Sequence, residues 1–299
     1  MDFTRRNNFH NTNDKAVCKL KTVLIITVNY MDASPTRNLI KSVESLERSD
    51  EVDLIIVDNK STDKTQQELN RLRNKSIIDI NIISSKQNRY YWGGAALAIE
   101  KTDLSQYQWV LICNNDIEFN DDKIFQKLSN LNHDEYQIIA PQIKSTKSQK
   151  NLNPFLLNPI SRIQDIYYSL YYANTLTAKS VHAVGSFLNQ GFARRILDEV
   201  KGVGGSIINN QKIYAPHGSC MIFSNHYFTK GGYLDTGFTM YGEEVSTAEI
   251  AKILNTNIYY IPELSLVHHD HQSTVQSNWK TNYNHSKETY LYIKKKYRS

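Results

Sequence analysis

Four short apolar runs, each followed by a polar turn and a stretch of helical periodicity, constrain this chain more than any other feature in it. Thr22 to Val28 is mostly β-branched, and Ser34-Pro35 after it supplies an N-cap and an N1 proline for a helix carrying Leu39, Ile40, Val43 and Leu46 on one face. Asp53 to Val57 reads as a second buried strand, with Asp58-Asn59-Lys60 as its turn and Ser61 capping a helix that bears Leu69 and Leu72. Ile78 to Ile83 is the third run, and a polar loop then ends at Gly93-Gly94 ahead of a helix over Ala95 to Ile99. Trp109 to Cys113 is the fourth, followed by a helix from Asn120 to Leu131. Such alternation predicts an α/β fold around a mainly parallel, Rossmann-like sheet covered on both faces, with ligands at the carboxyl ends of its strands.

The alternation stops after Gln137 to Ala140, and Lys144 to Asn153 reads as an exposed polar loop. A helix begins at Asn158-Pro159 with Ile160, Ile163, Ile166, Tyr167, Leu170 and Tyr171 at helical spacing. Packing on the sheet is its simpler explanation; the alternative is an aromatic surface that meets a lipid. Gly202 to Gly205 reads as a turn, Ser219 to Phe223 as a strand, Val245 to Leu254 as a helix, and the stretch with Tyr283, Tyr290, Ile293 and Tyr297 as a helix with a basic tip. We expect a flexible segment over 1–20 and one large domain over 21–299, a length that supports a substantial core.

Composition narrows the function. With 40% hydrophobic and 22% charged residues the chain is too apolar for a disordered protein. Its net charge of +5 is spread out except at Lys294-Lys295-Lys296 and Arg298, which favours small anions or a membrane surface over nucleic acid. Cys18, Cys113 and Cys220 lack metal-type spacing and cannot pair completely, so a reducing cytoplasm is the expected setting. No secretory signal or membrane-spanning run is visible, so any membrane contact is expected to be peripheral, at the inner face of the plasma membrane.

Three polar clusters carry the chemistry. Asp116 closes Asn114-Asn115-Asp116 at the end of the fourth strand, where a carboxylate can hold a hard divalent cation together with phosphate oxygens. His268, His269 and His271 surround Asp270 directly after an apolar run, and a neutral imidazole can complete a Mn2+ or Mg2+ site. Glu243 and Glu244 follow Gly242 at a helix start, where they complement the helix dipole or act as a base toward a hydroxyl. Asp58 stands where acids contact a base or ribose in nucleotide-binding sheets, and Gly93 and Gly94 allow backbone to approach a diphosphate. The GxGxxG, P-loop and GxSxG fingerprints are absent.

In order along the chain, Thr27-Val28-Asn29-Tyr30, Val57 to Asp63, Asn114-Asn115-Asp116, Gly218 to Ile222, Gly231 to Asp235 with Phe238, and Met240 to Glu244 resemble the inverting glycosyltransferases of family 2 with the GT-A fold, rhamnosyltransferases among them. The resemblance runs from about Val23 to the end. It implies a nucleotide-sugar half over 21–140 and an acceptor and catalytic half over 141–299 with a C-terminal helix. It further implies Asn29, Tyr30, Asp58, Asn88, Gly93, Gly94 and Asn115 around the donor, Asp116 with His268 or His269 on the metal, Glu244 with Glu243 as the catalytic acids, and Gly218 and Asp235 beside the acceptor. The implied donor is a UDP- or dTDP-linked sugar and the implied acceptor a saccharide or lipid-linked saccharide of a surface polysaccharide. Asn114 replaces the usual first acid of the triplet and Ser246 replaces a common Asp. A sugar-phosphate nucleotidyltransferase and a catalytically idle glycan-binding domain are the alternative readings.

Overall fold

Val23, Leu24, Ile25 and Ile26 are all completely buried, as only a strand covered on both faces permits, and each such side chain contributes about 1.5–3 kcal/mol. The computed structural model describes residues 22–178, 209–270 and 278–298. In it, β1 (Val23–Asn29), β2 (Val52–Asp58), β3 (Asp79–Ser84) and β4 (Trp109–Asn114) pair in parallel in the order β3-β2-β1-β4. They are joined by α1 (Ser34–Glu44), α2 (Asp63–Lys75) and α3 (Tyr90–Glu100). Beyond β4 the sheet continues through β8 (Cys220–Ser224), β6 (Ile138–Ser145), β9 (Ile258–His268) and β5 (Ile117–Phe119), with β7 (Gln211–Ile213) added to β9. The fold is thus mixed α/β with a mostly parallel sheet, as the alternation implied. Alternate residues of β1 face two separate cores: Val23 and Ile25 meet α1, α2 and α4 (Ile124–Ser129), while Leu24 and Ile26 meet α3 and α7 (Glu243–Ile253).

Several element ends differ from expectation, each for a local reason. The α1 cap is Ala33, because Ser34 already lies inside the helix and Asp32 Oδ1 accepts its N–H at 2.9 Å. In α2 the cap is Thr62; the Ser61 hydroxyl is used instead by the N–H of Met31, at 2.9 Å. The helix expected over 120–131 is confined to α4, preceded by the short strand β5, and the run at 137–140 continues as β6 through Ser145. Nor is 144–153 simply an exposed loop: Asn153 is 3% exposed, donates to Pro141 O at 2.8 Å and accepts from His217 N–H at 2.7 Å. The expectations for 1–20 and for Gly202 to Gly205 lie outside the described residues.

The aromatic helix α5 (Arg162–Tyr171) starts with a capping box between Ser161 and Gln164 and buries none of its own residues. It packs on α8 (Trp279–Tyr297), not on the sheet: Tyr172 stacks on Tyr290 with centroids 5.1 Å apart, and Lys294 Nζ reaches Asp165 at 2.8 Å. Ile163, Ile166 and Leu170 face solvent, 72%, 61% and 58% exposed.

Candidate active site

β4 ends at Asn114, and the following turn leads into β5, which pairs Ile117 with His268 at the end of β9. That register brings Asp116, 7% exposed, against His268, with Nε2 3.1 Å from Asp116 Oδ1. The other ring nitrogen, Nδ1, lies 3.0 Å from Asp270 Oδ1. Asp270 is in turn fixed by the Ser145 hydroxyl at 2.6 Å and the Lys147 N–H at 3.2 Å. Burial disfavours an imidazolium at His268, but Asp116 and Asp270 outweigh it and raise the pKa above the usual histidine value. Asp116 and His268 therefore form an oxygen and nitrogen donor set suited to a divalent cation, with Asp270 orienting the ring as carboxylates do for metal-bound histidines. His269 is placed differently: its Nε2 contacts Glu118 Oε2, and its backbone N–H donates to Asp116 O at 3.0 Å. Of the two expected histidines, His268 faces the acid and His269 turns to Glu118. His271 lies outside the described residues.

β8 runs antiparallel to β4, with Cys220 opposite Cys113 and Asn114 N–H donating to Ser219 O at 2.9 Å. The residues before β8 consequently lie at the carboxyl end of β4, beside Asp116. Gly218 N–H donates to Glu244 Oε1 at 3.1 Å, and Gly242 N–H donates to Glu243 Oε2 at 2.8 Å. Burial, then the neighbouring charge of Glu243, raises the Glu244 pKa to about 8 against the Gly218 N–H. His217, next in the chain, is driven down to about 4 by burial and then by the charge of His268. Asn114, bonded to Ser219 O, brings its Nδ2 within 3.4 Å of His268 Nε2, so the segment Gly218-Ser219 has Glu244 on one side and the His268 cluster on the other. Residues far apart in sequence meet at one mouth. A Cβ at Gly218 would lie 2.8 Å from both Glu243 Cγ and Glu244 Oε1. Gly218→Ala should displace the glutamate pair and destabilise the fold by about 1–3 kcal/mol. Thermal unfolding read beside turnover checks this, turnover falling in excess of the folded fraction.

On the other side of β4, Asp58 ends β2 completely buried. Its Oδ1 accepts the Ser61 N–H at 3.1 Å, and its Oδ2 has no hydrogen-bond partner within the protein. Asn29 is likewise fully buried and bonds the Thr36 hydroxyl at 2.6 Å, while Asn115 Nδ2 reaches the same hydroxyl at 3.1 Å, tying β1 to the Asp116 turn. Tyr30 is 44% exposed. Asn59, not singled out from the sequence, donates to Asn88 Oδ1 at 2.7 Å and accepts from Arg89 N–H at 2.8 Å, fixing the loop before α3. Met31, Lys60, Tyr90, Tyr241 and Asp270 all hold left-handed backbone in segments that reach this mouth, at about 1–2 kcal/mol each.

Two expectations need correction. The loop before α3 ends at Arg89, so Gly93 and Gly94 lie within the helix. A Cβ at Gly94 would lie 2.9 Å from Val28 Cγ2, so this glycine serves a close contact between helix and strand. Asp235, expected at the acceptor, is 3% exposed and fully engaged: Gly237 N–H, Tyr292, Tyr297 and Lys296 donate to it at 3.1, 2.8, 2.6 and 3.1 Å. It anchors α8. Asp235→Ala should cost about 3 kcal/mol, because buried donors lose their acceptor; chemical denaturation checks it, and a change below about 1 kcal/mol would contradict an anchoring role.

Sequence reasoning also missed Tyr91, whose buried hydroxyl has no hydrogen-bond partner and whose pKa is pushed up by burial, with Cys113 and Cys220 adding to it. His217 could have been noticed from its place beside the Gly218 motif, and Asp270 from the histidines around it.

A family model described as Glycosyl transferase family 2 matches residues 22–201. The low-salt glycan biosynthesis hexosyltransferase Agl10 of Haloferax volcanii is 24% identical over 272 residues, which span 89% of this chain and 74% of the relative. The mannosyltransferase PcManGT of Pyrobaculum calidifontis, solved with GDP-Man and Mn2+, superposes with a TM-score of 0.51 at 13% identity, over 84% of this chain and 58% of that one. GalNAc-T7, solved with UDP, GalNAc and Mn2+, gives 0.57 at 12% identity over 92% and 48%. The chain spans about half the length of these two structures, and at such identity they establish likeness of fold.

Proposed function

This chain belongs to glycosyl transferase family 2, a glycosyltransferase with GT-A-type architecture, and from that premise we propose that it moves a hexose from a nucleoside diphosphate sugar to an acceptor hydroxyl with inversion at the anomeric carbon. The hexosyltransferase relative supports a hexosyl donor, a class that includes the 6-deoxyhexose rhamnose. The acceptor in this reading is a saccharide or lipid-linked saccharide of a surface glycan. The bare apolar face of α5 supports a peripheral approach to a membrane, while Lys294, Lys296 and Arg298 are each paired with an acid of the chain; no described helix is long and apolar enough to cross one. Membership of a transferase family weighs against a nucleotidyltransferase and against an idle domain.

One observation carries the reading: Gly218 N–H holds Glu244 while Ser219 O accepts Asn114 N–H and the Asn114 side chain lies 3.4 Å from His268 Nε2, beside Asp116. The unpartnered Asp58 oxygen is an acceptor that a base N–H, such as the imide of uracil or thymine in a UDP- or dTDP-linked donor, would satisfy. Asp116 and His268 would hold Mn2+ or Mg2+, whose charge stabilises the departing diphosphate when the ion is bound. Glu244 takes the proton of the acceptor hydroxyl as that oxygen attacks the anomeric carbon and the bond to the diphosphate breaks. Gly218 N–H keeps the carboxylate pointed at the mouth, and the α7 amino terminus favours its ionised form.

Release of nucleoside diphosphate from a panel of sugar nucleotides, with and without Mn2+ or Mg2+, tests the reading. Turnover of one UDP- or dTDP-sugar, abolished by chelation, is expected; no release with any donor and acceptor would overturn it. Because the base must be ionised, turnover should rise with pH through about 8, and the Glu244→Gln variant should lose that rise. A pH–rate profile of kcat/KM checks both.

A further inference from the structure

The opposite end of the sheet holds a second cluster. His133, Asp134 and His226 bring three potential ligand atoms within 4.8 Å of one another. Topology explains the meeting. His226 lies on α6 (Asn225–Thr229), directly after β8, whose last residue Ser224 pairs with Trp109 at the start of β4. His133 and Asp134 precede β6, whose first residue Ile138 pairs with Phe223. A full strand separates this cluster from Asp116, about 20 Å at the usual rise per residue.

The side chains are held as a set. His226 Nδ1 contacts Asp134 Oδ1, and the His133 and His226 rings meet edge to face with centroids 4.6 Å apart. His133 also lies edge-on to Trp109, at 6.4 Å, and Trp109 is fully buried, so this ring has a fixed wall behind it. An ion pair between His226 and Asp134 accounts for two members only. It leaves His133 Nδ1 buried without a hydrogen-bond partner, a cost of about 1–3 kcal/mol for a polar atom. It also leaves two imidazoles in contact, an arrangement that one shared dication turns from a liability into a ligand pair.

We propose that His133, Asp134 and His226 bind a transition-metal dication, independently of the cation site at the mouth. Two imidazoles and one carboxylate, completed by water, suit Zn2+, whereas Mg2+ and Ca2+ prefer shells made mostly of oxygen. The ion would tie the segment between α4 and β6 to α6, bracing the amino end of β4. Nothing at this end faces the donor, so the role is structural.

Chelated protein titrated with Zn2+, by calorimetry and thermal unfolding, tests the site in the wild type and in an Asp116→Asn/His268→Ala background that removes the mouth ligands. Uptake of one Zn2+ per chain with a rise in Tm is expected in the mouth-deleted background, and of at least one in the wild type. His133→Ala and His226→Ala should each weaken binding at least about tenfold, since losing a ligand costs no less than losing one of its supporting partners. Asp134→Asn, at a side chain 67% exposed, keeps the fold if either histidine variant fails to fold, and it should weaken binding likewise. Absence of uptake in the mouth-deleted background, or uptake unchanged by Asp134→Asn and by the histidine variants that fold, would overturn the proposal. Either result leaves sugar transfer, read by donor turnover, untouched.

Discussion

Glu244→Gln should lower turnover by at least about two orders of magnitude while leaving donor affinity nearly intact, because it removes the proton acceptor and keeps an oxygen for the Gly218 N–H. The same substitution should stabilise the protein. The folded-state pKa lies above the unfolded value of 4.5, so between the two values the folded chain binds more protons and stability falls as pH rises. Above about pH 8 the full penalty of a half-buried carboxylate beside Glu243 is present, and Gln removes it. A Tm higher than wild type at pH 8.5 or so and near wild type around pH 5 is therefore expected from the direction of that shift, with turnover lost at both. Equal loss of donor binding and turnover would show that Glu244 holds the donor instead of acting as a base.

Asp116→Asn should lower turnover by about two orders of magnitude or more and raise the cation concentration needed for donor binding. Asparagine retains the shape of the turn and the backbone acceptance from His269, so the fold should persist. What disappears is the negative charge, and the triplet has none to spare because Asn114 occupies its first position. Donor binding measured across a Mn2+ titration reads the effect; an unchanged cation dependence would separate Asp116 from the metal. His268→Ala should shift the titration in the same direction by a smaller factor, since one neutral ligand is lost and the carboxylate remains.

The alternating half of the fold was legible because strands buried on both faces must be written as unbroken apolar runs, as β1, β2 and β4 are. Helix starts were less legible. Tyr90 and Tyr91 open α3 without a side-chain cap, and two glycines early in that helix read locally as a loop although Gly94 is demanded by Val28. Asp58, Asp116, His268 and Glu244 could be picked out because polar residues directly after apolar runs have few packing roles. Asp235 looked the same in sequence but is saturated by three side chains of α8, more than 50 residues away, and no local pattern announces such partners. His217 was hidden for the converse reason: a lone histidine acquires meaning here only through the β4–β8 register.

Helix α8 grips the polypeptide on both sides of the glutamate pair. Asp235 is seized by Tyr292, Lys296 and Tyr297, Met240 O accepts the Thr289 hydroxyl at 2.7 Å, and Glu249 receives Arg298 at 3.1 Å. His285 of the same helix meets Thr239 at 2.8 Å and lies edge-on to Tyr90, which begins the donor-side helix. A single rod therefore sets the spacing between the two halves of the mouth. Substitutions in α8 that never touch a substrate should accordingly alter turnover, by changing the distance between Tyr90 and the glutamate pair.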